Sequence, residues 1–297
     1  IYPFQYDQSK QVLFISEFID IQLIYDNQPS INEIDPPLNL SPAFANIYPA
    51  LILNYEQFIT RDEITYSRPR MLVIYGNYSE TTYQTQVNNY ITWKKQKGYL
   101  INAVSTAITG TNTNSIKNYI QSQYDNPNTR PDYIVLIGDT SGNMSIPSYS
   151  SYIDYYYTWL AGNDNLGDAA IGRISVETTA DMVNYMAKVY ALEQDINISN
   201  ASWLNRMVLV GDSGSSGIST IYTNRYIHDH SLMINPSYTY TEVYGTSPSS
   251  TTINNAINQG VVFYNYRGYI GMSGWPSTIN QLNNGYKLFH SVFITCN

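Results

Sequence analysis

The chain has 297 residues, and its 15 lysines and arginines against 23 aspartates and glutamates give a formal net charge of −8 at pH 7. This excess of negative charge argues against binding to a nucleic-acid backbone. The only cysteine, Cys296, excludes an intrachain disulfide framework and a zinc site built from thiolates. No apolar stretch approaches the roughly 20 residues that span a bilayer. With 13% charged residues and 30 tyrosines, the composition favours a secreted or cell-surface protein.

The first 70 residues are predicted to hold strands at 1–30 followed by a connector. Residues 12–15 and 19–25 are rich in β-branched and aromatic side chains, which indicates strands within 1–30. The motifs Asp35-Pro36-Pro37 and Ser41-Pro42 then interrupt regular structure, so 31–70 is predicted to be a connector. The sequence opens within a predicted strand, without an initiator methionine or a signal peptide. We therefore expect it to be a piece of a longer precursor.

From residue 71 onward, short apolar strands alternate with amphipathic helices. Alternation of this kind predicts parallel sheets that are covered on both faces and joined by right-handed crossovers. A polar stretch at 195–203 lacks periodicity, and it divides the region into subdomains at 71–198 and 199–297. The predicted strands are 71–75, 133–138, 206–211, 261–266 and 291–295, and the predicted helices are 83–97, 113–124, 178–192, 220–233 and 251–257.

Four polar residues with useful chemistry follow the ends of these strands: Asp139, Asp212, Tyr269 and Cys296. Ligands of open α/β sheets bind beyond the carboxyl ends of the strands. The topology therefore predicts that two carboxylates, a phenol and the sole thiol gather along one edge. A thiol at the tip of a core strand suits a nucleophile. The alternative for Cys296 is a small buried hydrophobic residue.

The three histidines are poorly placed to act as a base for that thiol. His228 and His230 fall on different faces of a predicted helix, which also argues against a metal pair. His290 begins the strand that leads to Cys296, and six residues of strand rise about 20 Å. The sequence therefore offers Cys296 no evident histidine.

A set of motifs between 71 and 297 resembles the gingipain-like cysteine peptidases of Bacteroidetes. In this family a strand enters an Asn-Tyr-x-Gly-His-Gly motif, and a long loop then leads to an apolar strand that ends in cysteine. The corresponding segments here are Asn265-Tyr266-Arg267-Gly268-Tyr269-Ile270-Gly271 and 291–296, with Trp93-Lys94, Ile137-Gly138-Asp139, Gly162-Asn163-Asp164, Ile171-Gly172-Arg173 and Gly211-Asp212-Ser213-Gly214 upstream.

The resemblance implies a caspase-like α/β fold with two adjoining βα subdomains and mainly parallel sheets. A β-rich prodomain precedes this unit in the family, and 1–30 would be its remnant. The second subdomain, 199–297, would be truncated at its C-terminus, because further strands follow in the family.

The resemblance also implies the site. Cys296 takes the position of the nucleophile, Asp212 that of the orienting carboxylate, and Tyr269 that of the histidine. Gingipains cleave after Arg or Lys with an acidic pocket residue, but 215–223 contains no carboxylate, so this specificity is not implied. A phenol is a poor general base at neutral pH. Two functions therefore stay open: a cysteine endopeptidase that acts on peptides or proteins, and an inactive pseudo-peptidase that binds peptide or serves a larger surface assembly.

The family further implies an extracellular or outer-surface location, reached by type IX secretion, and no required cofactor. Structural calcium at Asp139 and Asp164 is a weaker alternative, because loop oxygens are what calcium binds. Residues 211–217 could cradle a phosphate, although they lack the Gly-Lys-Ser/Thr of a P-loop. A serine hydrolase is disfavoured because no Asp-x-x-His follows. The aromatic run at 152–159 suits either a ligand platform or packing.

Overall fold

A computed structural model describes residues 4–22, 24, 44–45, 47–52, 55, 67–150, 153–194, 201–268 and 281–295. These residues form a small hairpin and two parallel sheets, each of four strands. No helix among them is long and apolar enough to cross a bilayer.

The N-terminal hairpin joins β1 (Phe4–Asp7) to β2 (Val12–Ile15) in antiparallel register. Its apolar side chains are largely exposed, including Phe4, Leu13 and Phe14. The predicted strand at 19–25 is wrong for residues 19–22, which have no regular structure. A short helix, α1 (Tyr48–Leu51), lies in the predicted connector.

The first sheet has the strand order β4-β3-β5-β6, and all of its strands are parallel. Its strands are β3 (Arg70–Tyr75), β4 (Leu100–Ser105), β5 (Tyr133–Ile137) and β6 (Ala170–Ile174). Its helices are α2 (Thr81–Gln96), α3 (Thr106–Thr109), α4 (Thr113–Asp125) and α5 (Thr179–Glu193).

Alternation along β3 sends apolar side chains to both faces of this sheet. Leu72 and Ile74 join one buried cluster, which includes Ile116 of α4. Met71 and Val73 join a second cluster, which is formed mainly with α2 and α5. The first sheet is therefore buried between two layers of helix, as the continuous apolar strands predict.

Helices α2 and α5 are joined at both ends by carboxylates. At one end, Glu80 caps α2 by accepting hydrogen bonds from two backbone N–H groups, and Thr179 Oγ1 donates to Glu80 Oε2 over 2.9 Å. At the other end, Glu193 accepts hydrogen bonds from Trp93 Nε1, Lys94 Nζ and Lys97 Nζ at 2.7–2.8 Å. These contacts fix the two helices side by side.

The second sheet has the order β10-β9-β7-β8 and is again entirely parallel. The apolar face of β7 and β9 packs on α7 through a cluster that includes Val208, Val210, Tyr264, Ile253 and Ile257. Its elements are β7 (Arg206–Asp212), α6 (Ser219–Ile234), β8 (Thr239–Gly245), α7 (Ser250–Gln259), β9 (Phe263–Arg267) and β10 (His290–Ile294).

The predicted parallel α/β architecture is confirmed, but three strands were missed: β4, β6 and β8. All three lie at an outer edge of their sheet, where one side is exposed and polar residues interrupt the apolar run. β10 is also an outer strand in the described part of the chain, and Phe293 and Ile294 are about 40% exposed. The proposed domain boundaries stay a prediction.

Candidate active site

The carboxyl ends of three neighbouring strands in the second sheet lie at one level. In register, Arg267 of β9 lies beside Ile294 of β10 on one side and Gly211 of β7 on the other. Asp212 is the last residue of β7. This edge is where a parallel sheet places the residues that act on a ligand.

Asp212 is a buried carboxylate whose two oxygens are both engaged. Asp212 is only 4% exposed to solvent. Tyr266 Oη donates a hydrogen bond to Oδ2 over 3.2 Å, and the Gly214 N–H donates to Oδ1 over 3.0 Å. A buried carboxylate needs such partners, and they also fix its orientation.

The phenol of Tyr266 lies directly against the end of β9. Tyr266 is fully buried, and a Cβ placed on Gly268 would come within 2.3 Å of its Oη. Any side chain at Gly268 would therefore displace the phenol that contacts Asp212. The close approach of the Tyr266 ring therefore explains why residue 268, at the end of β9, is a glycine.

The ends of β9 and β10 are tied together by Arg267. Its Nη1 donates to the carbonyl oxygens of Gly268 and Ile294 over 2.9 and 3.2 Å. The Gly268 N–H donates to the same Ile294 oxygen over 3.2 Å. The guanidinium therefore fixes the spacing of the two strand ends from which the proposed site residues follow.

A buried pair of amides joins β9 to α6 on the other face of the sheet. Asn265 Nδ2 donates to Asn224 Oδ1 over 2.8 Å, and Asn224 Nδ2 donates to the carbonyl oxygens of Val210 and Thr220 over 2.9 Å each. Sequence reasoning missed Asn224. The available signal was Asn265, an amide inside an apolar strand that needs a buried partner.

Of the three predicted catalytic residues, only Asp212 lies among the described residues. Cys296 and Tyr269 lie outside them. In the sequence, each is the second residue after a strand end that the structure does describe, Ile294 for Cys296 and Arg267 for Tyr269. The assignment of these three residues as a catalytic set stays a prediction.

Asp139 does not share a sheet edge with Asp212, so the expectation of one common edge for the two carboxylates is wrong. Asp139 follows β5 in the first sheet, whereas Asp212 ends β7 in the second. The alternation of strands and helices does not reveal where one sheet ends and the next begins. A hydrogen bond from Ser175, with another from the Thr140 backbone, holds the pKa of Asp139 below its usual value.

Both predicted calcium ligands accept hydrogen bonds from other protein groups. Asp164 Oδ1 accepts the Leu166 N–H over 2.9 Å, and Asp139 Oδ1 accepts Ser175 Oγ over 2.8 Å. Across the described ranges, no three residues among histidine, cysteine, aspartate and glutamate come together as a metal site would require. Calcium binding at these residues stays a prediction.

The loop after β7 and the histidines His230 and His290 contact other groups of the protein. The Gly214 N–H points to Asp212, so this donor is not directed at a phosphate. His230 Nδ1 contacts the Tyr226 carbonyl oxygen, and the His290 ring stacks on Phe263 at the amino end of β10. This position of His290 agrees with the distance argument from the sequence.

A comparison with known protein families identifies the family of this chain. The family model for Peptidase family C25 matches residues 64–297, which is most of the chain. The chain belongs to peptidase family C25. The resemblance to gingipain-like cysteine peptidases is thereby confirmed.

Curated relatives of this C25 chain include two gingipains from Porphyromonas gingivalis. Gingipain R2 is 22% identical over 99% of the chain, and gingipain R1 is 21% identical over 99% of it. These alignments cover 41% of gingipain R2 and 30% of gingipain R1. The chain therefore spans less than half the length of these relatives.

Solved structures confirm the caspase-like fold of the C25 chain. The crystal structure of the Arg-specific cysteine proteinase gingipain R superposes with a TM-score of 0.65 at 23% identity, over 77% of this chain and 55% of the other. The complex of the Porphyromonas gingivalis RgpB pro- and mature domains also gives 0.65, at 24% identity, over 76% and 55%.

Proposed function

We propose that this C25 chain carries the nucleophile of a cysteine endopeptidase, Cys296, with Asp212 as the carboxylate that orients the site. The observation that carries the proposal is the buried, doubly hydrogen-bonded Asp212 at the level where β9 and β10 end. Tyr269 and Cys296 each come two residues after those ends. A nucleophile, a polar partner and an orienting carboxylate are the parts that covalent peptide hydrolysis needs.

The reaction would proceed through an acyl-enzyme. The Cys296 thiolate attacks the carbonyl carbon of the scissile peptide bond, and the bond to nitrogen breaks as the amine leaves with a proton. Water then attacks the thioester, which releases the acid and restores the thiol. Each step moves a proton, so the rate depends on the group that occupies the position of the base.

Tyr269 favours a second candidate function. A neutral phenol takes up a proton poorly near pH 7, because its ordinary pKa is about 10. Loss of a general base costs about 10²–10⁴-fold in rate. The same cleft in an inactive pseudo-peptidase would bind peptide or take part in a larger extracellular assembly.

The remaining functional assignments rest on the family and the composition. Membership of a peptidase family supports a protein or peptide substrate. An extracellular or outer-surface location fits the weakly charged, tyrosine-rich sequence and the similarity to gingipains. Cleavage after Arg or Lys is not proposed, because 215–223 contains no carboxylate.

Labelling of the full-length secreted protein with a peptidyl cysteine-protease probe tests the proposal. Covalent labelling that disappears in Cys296→Ala would establish a working nucleophile. The absence of labelling in folded protein with Cys296 as a free thiol would favour the pseudo-peptidase. Alkylation of Cys296 against pH adds an independent measurement: an activated thiol reacts well below pH 8, and an ordinary one follows a pKa near 8.5.

A further inference from the structure

A cationic pocket lies at the amino-terminal edge of the first sheet, opposite the carboxyl ends of its strands. Its volume is about 470 Å³. We call it the amino-edge pocket. Among the described residues it is lined by the first residues of β3 and β4, the end of α2 and the loop before β5: Arg68, Arg70, Met71, Lys95, Tyr99, Leu100, Ile101, Asn102, Asn128 and Thr129.

The charge of this pocket contrasts with that of the whole chain. Only 15 of the 297 residues are Lys or Arg, yet Arg68, Arg70 and Lys95 all line the same cavity. Within the part of the chain that the structure describes, none of the three forms an ion pair. Cations grouped in this way raise the local potential and attract an anion.

Of the three lysines near the end of α2, only Lys95 lines the pocket. Lys94 and Lys97 also lie near the end of α2, and both pair with Glu193 at 2.7 and 2.8 Å. Lys95 lies on another face of the helix and lines the pocket. The fold thus neutralises two of the three lysines and leaves one charge at the cavity.

The rest of the lining indicates what kind of anion fits. Met71, Leu100 and Ile101 provide apolar surface, and Asn102 and Asn128 provide amides, a combination suited to a polypeptide. The end of α2, which carries a partial negative charge, borders the pocket through Lys95, and Arg68 Nε donates to the Gly98 carbonyl oxygen just beyond it over 2.9 Å. That charge disfavours a compact dianion such as phosphate more than a single carboxylate.

We propose that the amino-edge pocket binds acidic side chains of an extended polypeptide, with Arg70 and Lys95 as the principal charges. The site is separate from the strand ends that carry the proposed nucleophile. Its occupant is an acidic segment of a partner protein, matched to the cationic lining.

Fluorescence anisotropy with a labelled peptide of alternating leucine and glutamate tests the proposal, with a glutamine counterpart as the neutral probe. The full-length Cys296→Ala protein prevents consumption of the peptide. We expect saturable binding of the glutamate peptide alone. Arg70→Gln and Lys95→Gln should each weaken binding about two- to fivefold at low salt, the size typical of exposed ion pairs. High salt should weaken it further.

Lys188→Gln is the matched control, because Lys188 is an exposed lysine on α5 that does not line the pocket. It removes the same charge and should leave the affinity unchanged. Equal binding of both peptides, or an equal effect of Lys188→Gln and Lys95→Gln, would overturn the proposal. Displacement of the peptide by inorganic phosphate at matched ionic strength would also overturn it, by indicating a phosphate site.

Discussion

Tyr266 on β9 donates a hydrogen bond to the carboxylate of Asp212 on β7, and both residues are buried. This contact crosses between adjacent strands at the edge where the proposed site lies. The orientation of Asp212 therefore depends on a residue three positions before Tyr269. Substitutions of Tyr266 should therefore alter the site through Asp212 without replacing any proposed catalytic residue.

Tyr266→Phe removes this hydrogen bond and keeps the ring. We expect the free energy of unfolding to fall by about 1.5–3 kcal/mol, the range for hydrogen bonds to charged groups. Urea unfolding measures the change. Tyr226→Phe, which removes the hydroxyl of a tyrosine that is 63% exposed, is the control and should change stability by less than about 0.5 kcal/mol. Equal effects of the two substitutions would show that the Asp212 contact contributes nothing specific.

Gly268→Ala should disturb the site through Tyr266. The new Cβ would lie 2.3 Å from the Tyr266 Oη, so the buried ring must move and its bond to Asp212 lengthens or breaks. We expect slower labelling of Cys296 by the peptidyl probe and a loss of stability of about 1–3 kcal/mol, as for overpacked cores.

Gly172→Ala is the control for this substitution, because a Cβ at Gly172 in β6 meets nothing within 4 Å. It should leave both labelling and stability nearly unchanged. If Gly268→Ala behaves in the same way, the close approach of Tyr266 does not constrain the strand end.

Tyr269→His restores the residue type that the resembled family uses as its base. If the phenol limits proton transfer, the rate of Cys296 labelling near pH 7 should rise about 10²–10⁴-fold. Tyr269→Phe separates this effect from a change of shape, since it has no titratable group. A Tyr269→His protein that labels no faster than Tyr269→Phe would indicate that the site lacks more than its base.

Glu193→Gln should weaken the joint between α2 and α5. Burial raises the pKa of Glu193, but hydrogen bonds from Lys94, Lys97 and Trp93 outweigh that effect and lower it from 4.5 to about 2. Because the folded-state pKa is lowered, the stabilisation is fully present above about pH 4.5 and is lost as the pH falls toward 2. The variant should therefore be less stable at pH 7, by about 1–2 kcal/mol.

Thermal or urea unfolding between pH 7 and 3 measures both effects for Glu193→Gln. The difference between the original protein and the variant should shrink as the pH falls below about 4.5. Glu17→Gln removes the same charge from an exposed residue and serves as the control. A difference that is independent of pH would contradict the assignment to the Glu193 carboxylate.

The sequence predicted the central strands well because they carry the strongest signal. β3, β5 and β7 are buried on both sides and form continuous apolar runs, within one or two residues of the predicted bounds. The outer strands β4 and β8 read Leu-Ile-Asn-Ala-Val-Ser and Thr-Tyr-Thr-Glu-Val-Tyr-Gly, a pattern without such a run. Their pairing depends on tertiary contacts, which override local preference.

For the site, the sequence located Asp212 at a strand end but not what surrounds it. Its partner Tyr266 is 54 positions away, and the strand order that brings β7 beside β9 is not encoded in any local pattern. The amide pair of Asn224 and Asn265 has the same origin, over 41 positions. Buried polar pairs of this kind can be recognised only in the folded structure, where the two side chains come together.

The outer position of β10 has a consequence for the behaviour of the chain in solution. In the described ranges β10 pairs on one side only, and its sequence, His-Ser-Val-Phe-Ile, has neither the lysine nor the proline that commonly protects a sheet edge. Such an edge can recruit an extended segment of another molecule and so nucleate aggregation. Where this edge is left open, the protein should self-associate with rising concentration, and a charged substitution at Phe293 or Ile294 should suppress that association.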